Sequence, residues 1–298
     1  MNNVVNLGNR AVSPQPHTDV IPASPILFNV WERPLEYRGN GTTVFQNTGH
    51  KALVRVVDDK PVCLNVVKDT YKVVQNAELF DVIDSGLFRA LGTQAHDAQV
   101  IDQVSYQGKT CMRQYIFPNI AVDSPERDSI KFRIIAVNGF GGSAVKLIAG
   151  AIDFFCTNGM IIGEYTREYA KHTSGLKIQK FEDIVKMSVD VFWKERATWT
   201  GLRESKIKNP EYVKKFLDDR FGERLGNKIL HQYLIEQRVR GGSNLWALYS
   251  AMTYYSSHAS GDFGVRNTGN DHTAATMLKR EHDVRNAFRH PEFMALAV

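Results

Sequence analysis

Residues 51–75 alternate apolar and polar positions with a period of two. "KALVRVV" and "PVCLNVV" flank "DDKP", whose Asp58, Asp59 and Pro61 suit a turn between antiparallel strands. "YKVV" reads as a short third strand. The period then changes. In "NAELFDVIDSGLFRAL" the apolar residues Leu79, Phe80, Val82, Ile83, Leu87 and Phe88 fall at helical spacings, with Asn76 placed to cap the first turn. After this helix the two-residue period returns. "AQVIDQVSY", "KTCMRQYIFP" and "DSIKFRIIAV" predict three strands, the first two joined by a tight turn containing Gly108. "SAVKLIAGAIDFF" reads as a fourth strand, on the alternation of Val145, Leu147, Ile152 and Phe154, and the Gly-rich "NGFGG" before it as a reversal.

From about residue 179 the pattern becomes helical. "KFEDIVKMSVDVFWKERATW" carries an apolar stripe of Phe181, Ile184, Val185, Met187, Val191 and Phe192. The next helix starts at Asn209-Pro210, a cap followed by proline at the first helical position, and stops at Gly222. A third runs to Gly241-Gly242. A fourth, "SNLWALYSAMTYYSSHAS", is capped by Ser243 or Asn244, and "TAATMLKREHDVRNAFRHPEF" is the fifth. The expected class is therefore α+β: an antiparallel β-rich half with one packed helix, then a helical half. Residues 1–24 read as a flexible or extended arm, 25–177 as the β-rich portion and 178–298 as the helical portion, in two domains or one continuous domain.

Composition narrows the function classes. With 298 residues, 43% hydrophobic and 23% charged, the chain can build an ordinary globular core. The cysteines, Cys63, Cys111 and Cys156, form no paired motif, which argues against a disulfide framework and for a reducing cytoplasm. No apolar run is long enough for a membrane span, and the first residues lack the layout of a signal peptide. Net charge is +5, unevenly spread: residues 1–170 hold 16 Lys and Arg against 17 Asp and Glu, and residues 171–298 hold 21 against 15. A basic second half suits an acidic partner, nucleic acid being the commonest, or is simply a solvated surface.

Candidate chemistry falls into three groups. Arg113, Tyr115, Lys131 and Arg133 would make a basic sheet face interleaved with an aromatic, the composition that holds a single strand; the bland alternative is the wet face of an antiparallel sheet. Lys194, Arg196, Arg203, Lys206 and Lys208, with Trp193 and Trp199, form the best local candidate for phosphate contact. Cys156, with His172 and His258, is the candidate nucleophile-and-base set or half a metal site, and Asp262, Asp271 and His272 lie nearby. The apolar "IDFF" before Cys156 favours a packing role, and Thr157, Asn158 and Gly159 suit a chain reversal. Trp246, Tyr249, Tyr254 and Tyr255 share one helix as core. No cofactor or metal is expected.

"VNGFGGSAVKLIAGAIDFFCTNGMIIG", then "KHTSG", then "NLWALYSAMTYYSSHA", resembles domain-of-unknown-function family number 932, the phage/plasmid-like proteins. The elements are Asn138 to Ser143 (with Gly142), Cys156, Asn158 and Gly159, Lys171 with His172 and Thr173, and Trp246 to His258, and the likeness runs from about residue 50 to 290. Phe140-Gly141-Gly142 stands where an acidic residue before Gly is common in the family, which puts any role of that acid in doubt here. The resemblance implies a phage-type protein associated with replication and recombination genes. The helix followed by a β-meander also resembles the core of single-strand annealing proteins. The expected function is thus binding of single-stranded DNA, with strand annealing as the process and a homo-oligomer in the cytoplasm as the form. An enzyme acting on nucleotides or nucleic acid through Cys156, His172 and His258, and a host-interaction protein, are the alternatives.

Overall fold

The structure, a computed structural model, describes residues 4–6, 24–38, 44–123, 129–141, 145–153, 158–169, 178–258 and 273–297. Among the described residues, nine strands and seven α-helices run in the order β1 (Val4–Asn6), β2 (Trp31–Arg38), β3 (Val44–Val57), β4 (Lys60–Lys68), α1 (Asn76–Leu91), β5 (Gln99–Ser105), β6 (Thr110–Asp123), β7 (Ser129–Gly139), β8 (Val145–Asp153), β9 (Asn158–Tyr169), α2 (Ile178–Glu204), α3 (Pro210–Phe221), α4 (Glu223–Val239), α5 (Leu245–His258), α6 (Thr273–Phe288) and α7 (Pro291–Ala295). The class is α+β, with antiparallel sheets first and helices after.

β2, β3 and β4 form a small sheet, and β1-β5-β6-β7-β8-β9 a six-stranded one. The β3–β4 turn is the expected one: Asp58 and Asp59 take φ of 49° and 59°, which Asp tolerates because its short side chain bonds local backbone. Two strand expectations change. "YKVV" is not a strand; β2, upstream, is the third member of the small sheet. The chain does reverse between Asp153 and Asn158, as expected, but Asn158 and Gly159 themselves open β9, paired with Asp153 and Ile152. A further strand is longer than expected: β6 runs on past Pro118, and its register shifts between Phe117 and Ala121, where a bulge lets a residue without an N–H sit in the ladder.

The large sheet has two covered faces. On one, Tyr115, Phe117, Phe132, Ile134 and Ala136 meet Phe80, Ile83 and Leu87 of α1 and Phe192 of α2 in the main core. The Phe132 ring centroid lies 5.6 Å from Phe117 and 5.4 Å from Phe192. The other face carries a smaller cluster, Met112, Ile135, Val137 and Ile148, under Met277 and Leu278 of α6. α1 forms where its stripe predicts, but Gln75 holds the cap position and Asn76 turns inward. α3 and α5 start as expected, their first turns capped by Asn209 Oδ1 accepting from the Glu211 N–H (2.9 Å) and Asn244 Oδ1 from the Ala247 N–H (2.8 Å). The last predicted helix is two, because Pro291 cannot continue α6; it opens α7 at the first helical position.

Phe132→Ala removes an aromatic from the junction of β6, β7 and α2. Urea unfolding should show a loss of about 3–5 kcal/mol, the usual cost of emptying a buried aromatic site. A loss under about 1 kcal/mol would mean the sheet and α2 do not share this core.

Candidate functional site

The sheet cations expected on one exposed face are internal and lie on two faces. Arg113 pairs with Ala136 in the ladder and Tyr115 with Ile134, whereas Arg133 pairs with Ile116, one residue out of phase. Strand alternation then sends Arg113 and Tyr115 towards α1 and Arg133 towards α6. Register is a property of two strands, so the pattern of either strand alone does not reveal it.

Arg113 is 1% exposed. Its Nε and Nη2 donate to the two carboxylate oxygens of Asp102 at 2.7 and 2.9 Å, and Nη1 lies 3.5 Å from Asp84 of α1. Ser24 donates to the same Asp102, and the Tyr115 hydroxyl to Asp84. Burial pulls the Arg113 pKa down, but the Asp102 hydrogen bonds and the negative charges of Asp102 and Asp84 outweigh it and hold it above the ordinary value. Tyr115 is pushed well up, by burial first and Asp84 second, so it stays a neutral phenol that donates. The guanidinium also lies over the Phe80 ring, 4.7 Å from its centroid. These groups tie β5, β6, α1 and the segment before β2 together; Arg113, Tyr115 and Asp102 are buried, and Asp84 and Ser24 are half-buried.

Arg133, 2% exposed, meets Glu281 of α6 through two bonds, Nη1 to Oε1 at 3.0 Å and Nη2 to Oε2 at 2.6 Å. Nη1 also donates to Gln114 (3.1 Å) and Nη2 to the Met160 carbonyl (3.5 Å). Gly159 explains itself here. A Cβ on it would stand 2.5 Å from Glu281 Oε1 and 2.6 Å from Arg133 Nη1, so only a residue without a side chain leaves room for the pair. Its N–H donates to Ser257 Oγ (2.9 Å), one residue before His258. The start of β9, the end of α5 and the middle of α6 therefore converge.

Asn138 belongs to a different knot. Its amide donates to Asn76 Oδ1 (2.8 Å) and the Val74 carbonyl (3.2 Å), and Asn76 donates to the Ile26 carbonyl (2.7 Å) and Cys111 Sγ (3.2 Å). Burial pushes the Cys111 thiol up to about 12, which leaves it protonated and inert. Trp246 is buried in the helical core beside Trp199 and Tyr249. Tyr249 and Tyr255 are buried as well, and Tyr254 is half-buried. His258 is half-buried and its ring lies 4.5 Å from that of Tyr254. Cys156, His172, Thr173, Gly142, Asp262, Asp271 and His272 lie outside the described residues. Among the described residues no group of three or more His, Cys, Asp or Glu is placed to hold a metal ion. Lys131 is half-buried and shares the α6-facing side of β7 with Arg133.

The helical cations lie differently. Lys194, Lys206 and Lys208 are exposed, and so is Arg196, which stands 3.7 Å from the equally exposed Asp123. Arg203 is half-buried, its guanidinium packed against Gly241, and Lys206 donates to the Gly241 carbonyl at 2.9 Å. Trp193 is 47% exposed, while Trp199 is buried against Phe192. Between Lys194 and Arg196, Glu195 is half-buried and held above the ordinary carboxylate range by burial. Elsewhere in the helical half, a cleft of about 550 Å³ is lined by Arg220, Tyr255, Lys279, Asp283 and His290 among others, with Lys279 already paired to Asp283 (2.6 Å) and Arg220 to Glu292 (3.3 Å).

The model of a protein family described as Domain of unknown function (DUF932) matches residues 63–283. The chain belongs to this family. No curated protein and no solved structure matches the chain. The family span opens inside β4 and closes inside α6, two residues after Glu281, so both partners of the Arg133–Glu281 pair fall within it. Arg113, Asp102 and Asp84 do too, while Ser24 lies outside.

The pattern reading missed Asp102, Asp84, Gln114, Ser257 and Glu281. Two of these carried a signal. Asp102 stands between Val100 and Val104 on the inward side of a strand, and Glu281 lies in the stripe of Met277, Val284 and Phe288 on α6. A carboxylate on an apolar face implies a buried cation to meet it.

Gly159→Ala should force the Arg133–Glu281 pair apart and cost about 2–4 kcal/mol in chemical unfolding, because a parted buried pair leaves two uncompensated charges. Gly201→Ala is the control: nothing lies within 4 Å of its Cβ, and in the last turn of α2 it should leave stability unchanged or raise it by up to about 1 kcal/mol. Equal effects of the two substitutions would contradict the account of Gly159.

Proposed function

We propose that this protein binds single-stranded nucleic acid along the outer side of α2 and the segment that follows it. The observation that carries the reading is the exposed indole of Trp193 flanked by the exposed Lys194 and Arg196, with Lys206 and Lys208 continuing beyond the helix. An aromatic surface beside cations is what a sequence-tolerant binder uses: bases stack on the ring and phosphates meet the charges. From Lys194 to Arg203 the helix advances roughly 14 Å, room for about four phosphates at the 3.4 Å spacing of a stacked strand. The buried Arg113, Tyr115 and Arg133 have no part in this surface. Strand annealing during recombination or replication is the process such binding would serve.

The test is anisotropy of a fluorescein-labelled oligothymidylate of 20 nucleotides. With five cations engaged, the slope of log affinity against log salt should be about −3.5, so binding weakens roughly 100-fold between about 50 and 200 mM salt. Trp193→Ala should weaken it by about 1–3 kcal/mol, and the double reversal Lys194→Glu, Arg196→Glu should abolish it. No binding at the lower salt, or binding indifferent to salt, would contradict the reading.

A further inference from the structure

The turn from β5 to β6 runs against the preferences of its own residues. Tyr106 and Gln107 take φ of 53° and 54°, and Gly108 follows at 100°. A tight hairpin favours Gly, Asn or Asp where φ is positive, and Asp58 and Asp59 fill the matching places in the β3–β4 turn. A tyrosine held in the left-handed region needs outside support, and such strain clusters where a side chain is being presented.

The support is visible. The Arg55 guanidinium donates to the Gln107 carbonyl (3.1 Å) while lying 3.7 Å above the Phe28 ring. Gly108 makes this possible, since a Cβ there would strike Arg55 and stand 2.6 Å from Phe28 Cζ. The Lys109 N–H donates to the Tyr106 carbonyl (3.1 Å), and the Phe140 N–H to the Lys109 carbonyl (2.8 Å). The Lys109 stem lies on Gly141, where a Cβ would come within 2.6 Å of its Cε. The outcome is a tyrosine 43% exposed at the tip of a braced turn. Beside it are two cations, Arg55 and Lys109, and among the described residues neither has a carboxylate partner. Arg55 Nε is buried with no hydrogen-bond partner.

We propose that Tyr106 is a stacking platform for one base of a bound single strand, with Lys109 and Arg55 set to meet the adjoining phosphate. The inference rests on the proposed nucleic-acid binding and adds a second contact point to it. Arg196 stands at the Asp123 end of β6 and Tyr106 at the Thr110 end, so the fourteen residues of that strand separate the two points by roughly 40 Å. At 3.4 Å per nucleotide that distance takes about twelve nucleotides. A 20-nucleotide strand reaches both points and a 6-nucleotide strand only one.

Two measurements on the full chain test it. An oligonucleotide of 20 residues carrying 5-bromodeoxyuridine, photocross-linked to the unaltered protein and mapped by mass spectrometry, should mark the peptide containing Tyr106 as well as that containing Trp193. Tyr106→Ala should weaken binding of the 20-nucleotide strand about 5- to 100-fold, and Tyr106→Trp should restore it. Gln107→Gly, which relieves the strain without touching the ring, should raise the unfolding midpoint and leave binding unchanged. Cross-links confined to the Trp193 peptide, or a Tyr106→Ala protein that binds like the unaltered one, would overturn this inference and leave the α2 surface standing. Absence of binding by the unaltered protein overturns both.

Discussion

Glu281 lies 148 residues beyond Arg133 in the chain, yet their side chains meet by two hydrogen bonds where water is excluded. Neither charge is tolerable there without the other, since stripping either of water costs several kcal/mol. The pair thus obliges α6 to return to the large sheet. Much else follows from that return. Gln114 and the Met160 carbonyl accept from the Nη1 and Nη2 of Arg133 that also meet Glu281, Gly159 gives up its side chain to make space, and Met277 and Leu278 close over Met112, Ile135, Val137 and Ile148. The opposite face is sealed by apolar contact with α1 and α2, and its own guanidinium, Arg113, is met by Asp102. One sheet is therefore covered on both sides, with an arginine and its carboxylate buried on each.

This arrangement divides the positive charge of the chain into two kinds. Arg113 and Arg133 are structural: their charge is spent on internal carboxylates, and no polyanion reaches them without opening the core. Lys194, Arg196, Lys206 and Lys208, on α2 and the segment after it, are exposed, where long side chains keep their charged ends solvated. Part of the excess of the second half is thus exposed at a surface, while the sheet contributes geometry. The braced turn at Tyr106 is where the sheet itself meets solvent with an aromatic and two cations, at the far end of β6 from α2.

How much of this was legible depends on whether a feature is local. The helix over 76–91, the turn at Asp58-Asp59, the start of α3 at Asn209-Pro210 and the end of α4 at Gly241-Gly242 are set by neighbouring residues, and the pattern placed them. Features set by distant partners were not placed. Asn76 looked like a cap and is instead a hub for Ile26, Cys111 and Asn138. Gly159 looked like a turn residue, but its constraint comes from Glu281. Arg113, Tyr115 and Arg133 looked like one wet face because alternation gives the face of a residue within its own strand and says nothing of the neighbour's register or of what covers it. The family motifs show the same division: Asn138 secures the knot beside α1, and Gly159 the seat of α6, at separate places on the sheet.

The claim on which the rest depends is that the Arg133–Glu281 pair fastens the helical half to the sheet. A double-mutant cycle on Arg133→Ala and Glu281→Ala, read by urea unfolding, measures that fastening directly. The account predicts that each single substitution is severely destabilising and that the two are far from additive, with a coupling energy of about 1–3 kcal/mol. Additivity within about 0.5 kcal/mol would contradict it, because it would mean that the two charges do not stabilise one another in the folded protein.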